Sequence, residues 1–338
     1  MKAVSLIDVS SYLPENRVTL DYFLEHAEHD ELAENVMFRA PRFRHHASPD
    51  ETATDMIERA CAGMIERHGR STIQNVDILI THSQLPDIPF VGCGGEVAHR
   101  FGMRPEWVID LHNGGCASFI YMIKLARQIM QSSGARTALI ASAQNCAAQI
   151  FTQSEVRKTA QAAIPGDGAG VGLLELSDAS PILDIECRTY GKYAGEMKFV
   201  TDPPRKYWEA GPGQCRVGFT EESVTKVLLR GSRQVPEIVQ VVCERIGVPS
   251  KDLGALITNQ PNRTFLKNWR TSLNIPPERH PDTFDQCGNL FGAGIPVTFD
   301  HAVSSGQLQA GNVVMFAGFA HTGDFAGAAA IQWGGRSS

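Results

Sequence analysis

Apolar residues recur along this chain in two rhythms: short runs that suit strands, and spacings of three and four that suit helices. Residues 1–9 read as a first strand, and a helix is expected within 18–36 around Leu20-Asp-Tyr-Phe-Leu-Glu-His26. Ala53, Met56, Ile57, Ala60 and Met64 share one face of a helix from Thr52 to His68, with Ser48-Pro-Asp-Glu51 as its cap. Val76–Ser83 is a strand, and a loop through Pro86, Pro89 and Gly92–Gly95 enters a helix at Glu96–Arg100. Trp107-Val-Ile is a short strand. Asn113, Gly114 and Gly115 break the pattern. Phe119, Ile120, Met122, Ile123, Leu125, Ala126, Ile129 and Met130 then make a helix apolar over most of its surface, which predicts that it is buried. Thr137–Ala143 is the next strand.

Gly166-Asp-Gly-Ala-Gly170 leads into a strand at Val171–Leu176. It lacks the Lys-Ser/Thr of a P-loop and enters a strand where a dinucleotide fingerprint would open a helix, so it is a tight turn bringing backbone close to something, with no nucleotide implied. Residues 185–220, rich in Gly, Pro and Tyr, show no period and read as an extended excursion over one face. Helices follow from Thr220 to Ile246, Asn262 to Ser272 and Ile295 to Val303. Strands are expected at Asp252–Asn259, Gly311–Phe319 and Ala326–Trp333.

The second half echoes the first. Leu79-Ile-Thr-His-Ser matches Leu256-Ile-Thr-Asn-Gln at an offset of 177, and Asp110 matches Asp285 at 175, as Ala138-Leu-Ile-Ala does Val313-Val-Met-Phe. Ala169-Gly-Val-Gly-Leu-Leu also corresponds to Ala326-Gly-Ala-Ala-Ala-Ile. Two repeated βαβαβ-β halves, 1–177 and 178–338, imply an α/β fold of sheets and helix layers around a shared buried helical layer. The repeat sets Cys116, Asn259, Asn289 and His321 at equivalent strand ends, where α/β proteins bind ligands.

Composition narrows the picture. The chain has 338 residues, 43% hydrophobic and 20% charged, with room for two core-bearing units. A net charge of −6 without a basic run gives no footprint for nucleic acid, and no apolar run is long enough to span a membrane. The apolar N-terminal stretch is too short for a signal peptide. Eight cysteines, at 61, 93, 116, 146, 187, 215, 243 and 287, form no Cys-x-x-Cys pair, and none lies near a His at zinc-finger spacing. Reduced thiols in a cytoplasm are expected, with no metal site.

Cys116 sits where a strand turns into a helix. Free amide hydrogens and the helix dipole favour a thiolate there, the nucleophilic form of cysteine; a buried inert thiol is the other reading of this stretch alone. Arg39, Arg42, Arg44, His45 and His46 form a basic cluster, either a solvated loop or a landing site for a phosphate-bearing substrate.

Five motifs spread over nearly the whole chain: Gly115-Cys116-Ala-Ser-Phe, Ile164-Pro-Gly-Asp-Gly-Ala-Gly170, Ile257-Thr-Asn-Gln-Pro-Asn262, Cys287-Gly-Asn289 with Ala293-Gly-Ile-Pro296, and the close from Phe319 to Trp333. With the repeat, they resemble the thiolase-fold condensing enzymes, in particular ketoacyl-acyl-carrier-protein synthase III and its acyltransferase relatives. The resemblance implies a layered α-β-α-β-α sandwich, a homodimer, and coenzyme A or phosphopantetheine thioesters as substrates, with no permanently bound cofactor. It makes Cys116 the nucleophile and Asn289 a donor to a thioester or enolate oxygen. The family's His, in a His-Gln-Ala-Asn motif, does not carry over: Asn259 stands there, able to donate a hydrogen bond but not to act as a base.

The closing turn departs too. Where the family usually has three glycines, this chain has Ala320-His321-Thr-Gly-Asp324. In thiolases proper the equivalent turn brings a second base to the cysteine. His321 is therefore expected to activate Cys116 or to deprotonate an acceptor, with Asp324 orienting it; a solvated loop histidine is the alternative. His82, at the repeat-equivalent of Asn259, is a weaker substrate contact or a packed residue, and His112 precedes the nucleophile turn. The thioester is expected to enter near Arg39–Arg44, Arg263 and Lys267, and Phe119, Phe151, Phe291 and the 185–220 excursion to shape the pocket. The expected function is acyl transfer from an acyl-CoA or acyl-carrier protein through Cys116 to a nucleophilic acceptor, in specialised-metabolite or polyketide biosynthesis. A decarboxylative condensation with a malonyl-carrier, with Asn259 and Asn289 holding the enolate, and a non-catalytic partner subunit are the alternatives.

Overall fold

The computed structural model describes residues 2–27, 39–201, 203–206, 209, 211, 213–218 and 221–336. The strands in chain order are β1 (Val4–Tyr12), β2 (Asn16–Thr19), β3 (Phe43–His46), β4 (Ile78–Ser83), β5 (Trp107–Asp110), β6 (Thr137–Gln144), β7 (Gly168–Leu176), β8 (Ile182–Thr189), β9 (Lys198–Thr201), β10 (Cys215–Gly218), β11 (Ala255–Thr258), β12 (Val313–Ala320) and β13 (Phe325–Gln332). The longer helices are α1 (Ala53–His68), α2 (Gly94–Phe101), α3 (Ser118–Ser132), α4 (Glu221–Ile246), α5 (Arg263–Ser272) and α6 (Gly294–Ser304).

Of the two large sheets, one runs β1-β7-β6-β4-β5 and the other β8-β13-β12-β11, and β2–β3 and β9–β10 pair as two-stranded sheets. Aligned, the two orders match β1 with β8, β7 with β13, β6 with β12 and β4 with β11. The directions match too: β4–β6 and β11–β12 are parallel, and the remaining equivalent pairs are antiparallel. The sequence repeat is thus a repeat of topology. β5 has no counterpart in the second sheet among the described residues, and Asp285 lies instead in a helical turn at Phe284–Cys287.

Strand side chains alternate between faces, so each sheet presents two apolar surfaces. Ile78, Ile80 and Ile140 of the first sheet and Ile257, Val314 and Phe316 of the second face a central layer made by α3 and α6. Leu79, Leu139 and Val171 face α1 and α2, while Leu256, Met315 and Ala328 face α4 and α5. The result is an α-β-α-β-α sandwich. α3 is apolar on most of its surface because it lies between two sheets.

Several expectations change. The described part of 18–36 holds the end of β2 and one helical turn, Asp21–Leu24; residues 28–38 fall outside the described set. The cap of α1 is Thr52, paired with Asp55 in a capping box, while Glu51 accepts from Ser48, Tyr12 and Arg59. The excursion begins later than expected, because Ile182–Thr189 is an edge strand on β13. The Gly166 turn closes on the Asn289 turn: Gly166 N–H donates to the Asn289 carbonyl at 3.1 Å and Asn289 N–H to the Ile164 carbonyl at 2.9 Å. A Cβ at Gly166 would strike the Cys287 carbonyl, so only glycine allows that approach.

Candidate active site

The Cys116 turn is built from its flanks. Asp110, at the end of β5, accepts from Thr81 Oγ1 and from the N–H groups of Cys93 and Gly94, tying β4, β5 and the start of α2 together. Gly114 (φ +98°) and Gly115 (φ +42°) then turn the chain into a 3-10 turn at Gly115–Ala117 that runs into α3. Cys116 sits in that turn and lines a cavity of about 270 Å³ with Asn259, Asn289 and His321. Burial pushes its thiol up to about 12, with the nearby Asp324 charge adding to the rise, while the N–H groups of Cys116 and His321 pull the other way. The expected thiolate is thus overruled in the resting protein: desolvating the charge outweighs the amides at the helix start.

His321 lies in the turn between β12 and β13 with φ +50°. Its Nδ1 meets Asp324 Oδ1 at 2.9 Å and Oδ2 at 3.2 Å, which leaves Nε2 for the opposite side of the ring, against Gly115. The turn is held from α4: Arg230 Nη1 donates to the Thr322 carbonyl at 2.9 Å and Gln234 Nε2 to the Gly323 carbonyl at 2.8 Å. Arg230 also pairs with Glu196 and stacks on Tyr193.

Asn289 Oδ1 accepts from Phe291 N–H at 3.0 Å, which fixes the amide. Asn259, just past the end of β11, is 1% exposed, and neither amide atom has a partner among the described residues. A buried amide without a partner destabilises a protein, and one in a cavity wall marks a place for a ligand group.

The remaining expected residues divide. Phe151 and Phe291 line the cavity. Phe119 does not: it is fully buried between the sheets, edge-on to Phe316, because the first turn of α3 points it into the core. His82 is also outside the wall, buried with Nδ1 3.3 Å from Ser142 Oγ and pushed down to about 3 by that burial, with the charges of His321 and His112 adding. His112 is exposed. The basic cluster is neither a solvated loop nor a single patch. Arg44 and His46 are buried in β3, Arg44 bonding the Thr19 and Pro41 carbonyls under Phe23, so its guanidinium serves packing. Arg39 and Lys267 are exposed and outside the wall. Arg263 follows the lining residue Asn262 but spends its guanidinium on Asp285 and the Arg39 and Ala40 carbonyls.

Met197 and Val217 bring the 185–220 excursion into the wall, as expected of that segment, while Val227, Phe265 and Cys146 join it unforeseen. Nothing local in the sequence singles out Met197 or Val217 within that excursion, or Val227 on α4. Phe265 lies within the expected helix from Asn262 to Ser272 and Cys146 among the scattered cysteines, and neither sits in a motif. Arg230 and Gln234, one helical turn apart on α4, carried a spacing that could have been noticed. Among the described residues no group of three or more His, Cys, Asp or Glu could hold a metal ion, and no helix is long and apolar enough to cross a membrane.

Comparison with known proteins places this geometry. Residues 109–191 match the family described as 3-oxoacyl-[acyl-carrier-protein (ACP)] synthase III, and residues 243–333 match its C-terminal part. A beta-ketoacyl-[acyl-carrier-protein] synthase III from Gloeobacter violaceus is 27% identical over 300 residues, covering 87% of this chain and 85% of the relative. The crystal structure of 3-oxoacyl-(acyl carrier protein) synthase III from Pseudomonas aeruginosa shares the fold with a TM-score of 0.84 at 21% identity, over 100% of both chains. The priming β-ketosynthase of the R1128 polyketide pathway does so at 0.83 and 22%, over 98% of this chain and 96% of that one. The chain is an enzyme of the ketoacyl-acyl-carrier-protein synthase III family, with the thiolase-like fold.

Proposed function

We propose that this family member transfers an acyl group from a coenzyme A or acyl-carrier thioester, through Cys116, to an alcohol, amine or thiol. The observation that carries the reading is the His321–Asp324 pair, 2.9 Å apart, with its ring against the nucleophile turn and an asparagine at 259 in place of the family's histidine. With Nδ1–H donating to Asp324, the neutral imidazole presents Nε2 as a base. His321 takes the Cys116 proton as the sulfur attacks the thioester carbonyl. The bond to the donor sulfur breaks, and the donor thiol leaves with that proton. The acceptor then gives its proton to His321 while its heteroatom attacks the acyl-enzyme. The proton returns to Cys116 as the enzyme's own C–S bond breaks. The N–H groups of Cys116 and His321, which face the sulfur, support a reading in which they stabilise the oxyanion in both steps.

Intact-protein mass spectrometry tests this with acetyl, longer acyl and malonyl thioesters. An acyl adduct is expected on wild type and none on Cys116→Ala; equal labelling of both would end the reading. One observation favours a second chemistry: the partnerless Asn259 amide could, with Asn289, hold an enolate oxygen. Release of CO2 from a malonyl donor with formation of a C–C bond would assign condensation, and an intact malonyl adduct would assign plain transfer.

Acyl-CoA or an acyl-carrier protein as donor and a homodimer as assembly belong to the same proposal. Exposed Arg39 and Lys267, near the lining residue Asn262, are available to donor phosphates. The open edge of β5 and the exposed Ile88, Phe90 and Val91 support the dimer.

A further inference from the structure

We infer that Gly115 is a positioning residue: the side chain it lacks is the space through which the His321 imidazole reaches the nucleophile turn. The inference rests on the reading of His321 as the base. An ideal Cβ at Gly115 would stand 2.7 Å from His321 Nε2, 3.1 Å from Cε1 and 3.1 Å from Ala320 Cβ. A carbon does not sit 2.7 Å from a ring nitrogen, so a side chain at 115 and the observed imidazole exclude each other.

The ring is not free to retreat. Its Nδ1 is bonded to Asp324, and its turn is fixed by Arg230 and Gln234 through the Thr322 and Gly323 carbonyls. Both residues of the contact have left-handed backbone, φ +42° at Gly115 and +50° at His321. For His321, which has a Cβ, that conformation is disfavoured, and the surrounding bonds hold it there. Gly114 makes the contrast. Its φ is +98°, but its missing Cβ faces the Ser118 Cα at 3.0 Å and not the imidazole. The two glycines before Cys116 therefore do different work: one lets the chain turn into α3, and the other leaves room for the base. An alanine at 115 would drive Nε2 away and leave a buried thiol with nothing to take its proton.

The test is a double-mutant cycle read by iodoacetamide alkylation of Cys116 at pH 7, a probe that needs no knowledge of the donor. His321→Gly removes the ring and keeps a backbone at ease with φ +50°. Gly115→Ala and His321→Gly are each expected to slow alkylation about 100-fold, the usual loss for a missing general base. The double variant is expected to be no slower than His321→Gly alone. Gly114→Ala serves as control, its effect being the same with or without His321. If His321→Gly alkylates like wild type, the base reading itself falls. If His321→Gly is slow but Gly115→Ala stays within about 3-fold of wild type, or costs the same factor in both backgrounds, the base survives and the role of Gly115 is overturned. Should Gly115→Ala fail to fold, the cycle is read as yield of folded protein. Recovery of folding by His321→Gly supports the clash with the imidazole, and no recovery refutes it.

Discussion

Cys116 is 9% exposed, and its thiol is pushed up to about 12 even with two N–H groups facing the sulfur. Only a small fraction is ionised at neutral pH, so the acylation proposed there depends on a base beside it. In His321→Asn, acyl-enzyme formation should fall about 100-fold at pH 7. It should then climb about tenfold per pH unit, because only ionised Cys116 reacts. A stopped-flow pH series checks this, and a wild-type profile would remove His321 from the chemistry. Asn259 invites the opposite measurement. Replacing its partnerless amide by leucine should stabilise the resting protein by about 1 kcal/mol or more while lowering turnover. A fall in melting temperature would mean the amide is satisfied at rest. Phe119 belongs to the core and not to the pocket, so Phe119→Ala should lose about 3–5 kcal/mol in a denaturant titration and leave acyl preference unchanged.

The elements show why some of this was legible and some was not. β4, β6, α1 and α3 could be read directly, since each buries a continuous apolar face and its period survives in the sequence. β8 was half missed. Leu183, Ile185 and Cys187 do alternate with Asp184, Glu186 and Arg188, but the polar face is an ion-pair ladder to Arg245, which masks a short edge strand. At the site, Cys116, Asn289, Asn259 and His321 stood out because each ends an element at a recognisable motif. The apolar wall was legible only as a segment, the 185–220 excursion, with Phe151 and Phe291; Met197, Val217 and Val227 share the cavity with Cys116 only through tertiary packing. The support of the His321 turn was also hidden, because Arg230 and Gln234 act on backbone carbonyls 89 or more residues away in sequence. Gln234→Ala leaves the Gly323 carbonyl unpaired and frees the turn. It should lower kcat several-fold with little change in KM, and an unchanged kcat would mean that Arg230 holds the turn alone.

The whole molecule has its own response to acid, and it can be signed. Burial pushes His82 and His280 down to about 3, and His46 down to about 4 with the charges of Arg44 and His45 adding, all from an unfolded value of 6.5. A base depressed by folding contributes stability above its unfolded value that is lost as pH falls through the window from 6.5 to about 3. Burial pushes Asp167 up to about 7 from 3.8. That shift has the opposite effect, adding stability as pH falls from 7 toward 4. Near pH 5 unfolding therefore takes up three protons and releases one, a net two, so stability should drop by roughly 3 kcal/mol per pH unit of acidification. His45, lowered by burial, adds to that loss, and Asp282, raised by burial, opposes it. Melts between pH 7 and pH 5 check the sign.

Assembly is the other property at this scale. Among the described residues the two halves share one topology except at β5, which the second sheet lacks, so the first sheet ends in a strand with no neighbouring strand on its outer edge. Its side chains are exposed at Trp107 and Val108, and the loop before α2 exposes Ile88, Val91 and Phe90, the last at 98%. Natural proteins cover or charge such edges; this strand carries one charge, Asp110 at its end, already bonded to Thr81, Cys93 and Gly94, and no strand among the described residues covers it, so a second copy is the economical cover. Wild type should therefore elute at twice its 36.9 kDa mass, and Val108→Lys should shift it to monomer. If wild type already elutes as a monomer at micromolar concentration, the β5 edge is covered by something other than a second copy, and the dimer proposal falls without touching the chemistry at Cys116.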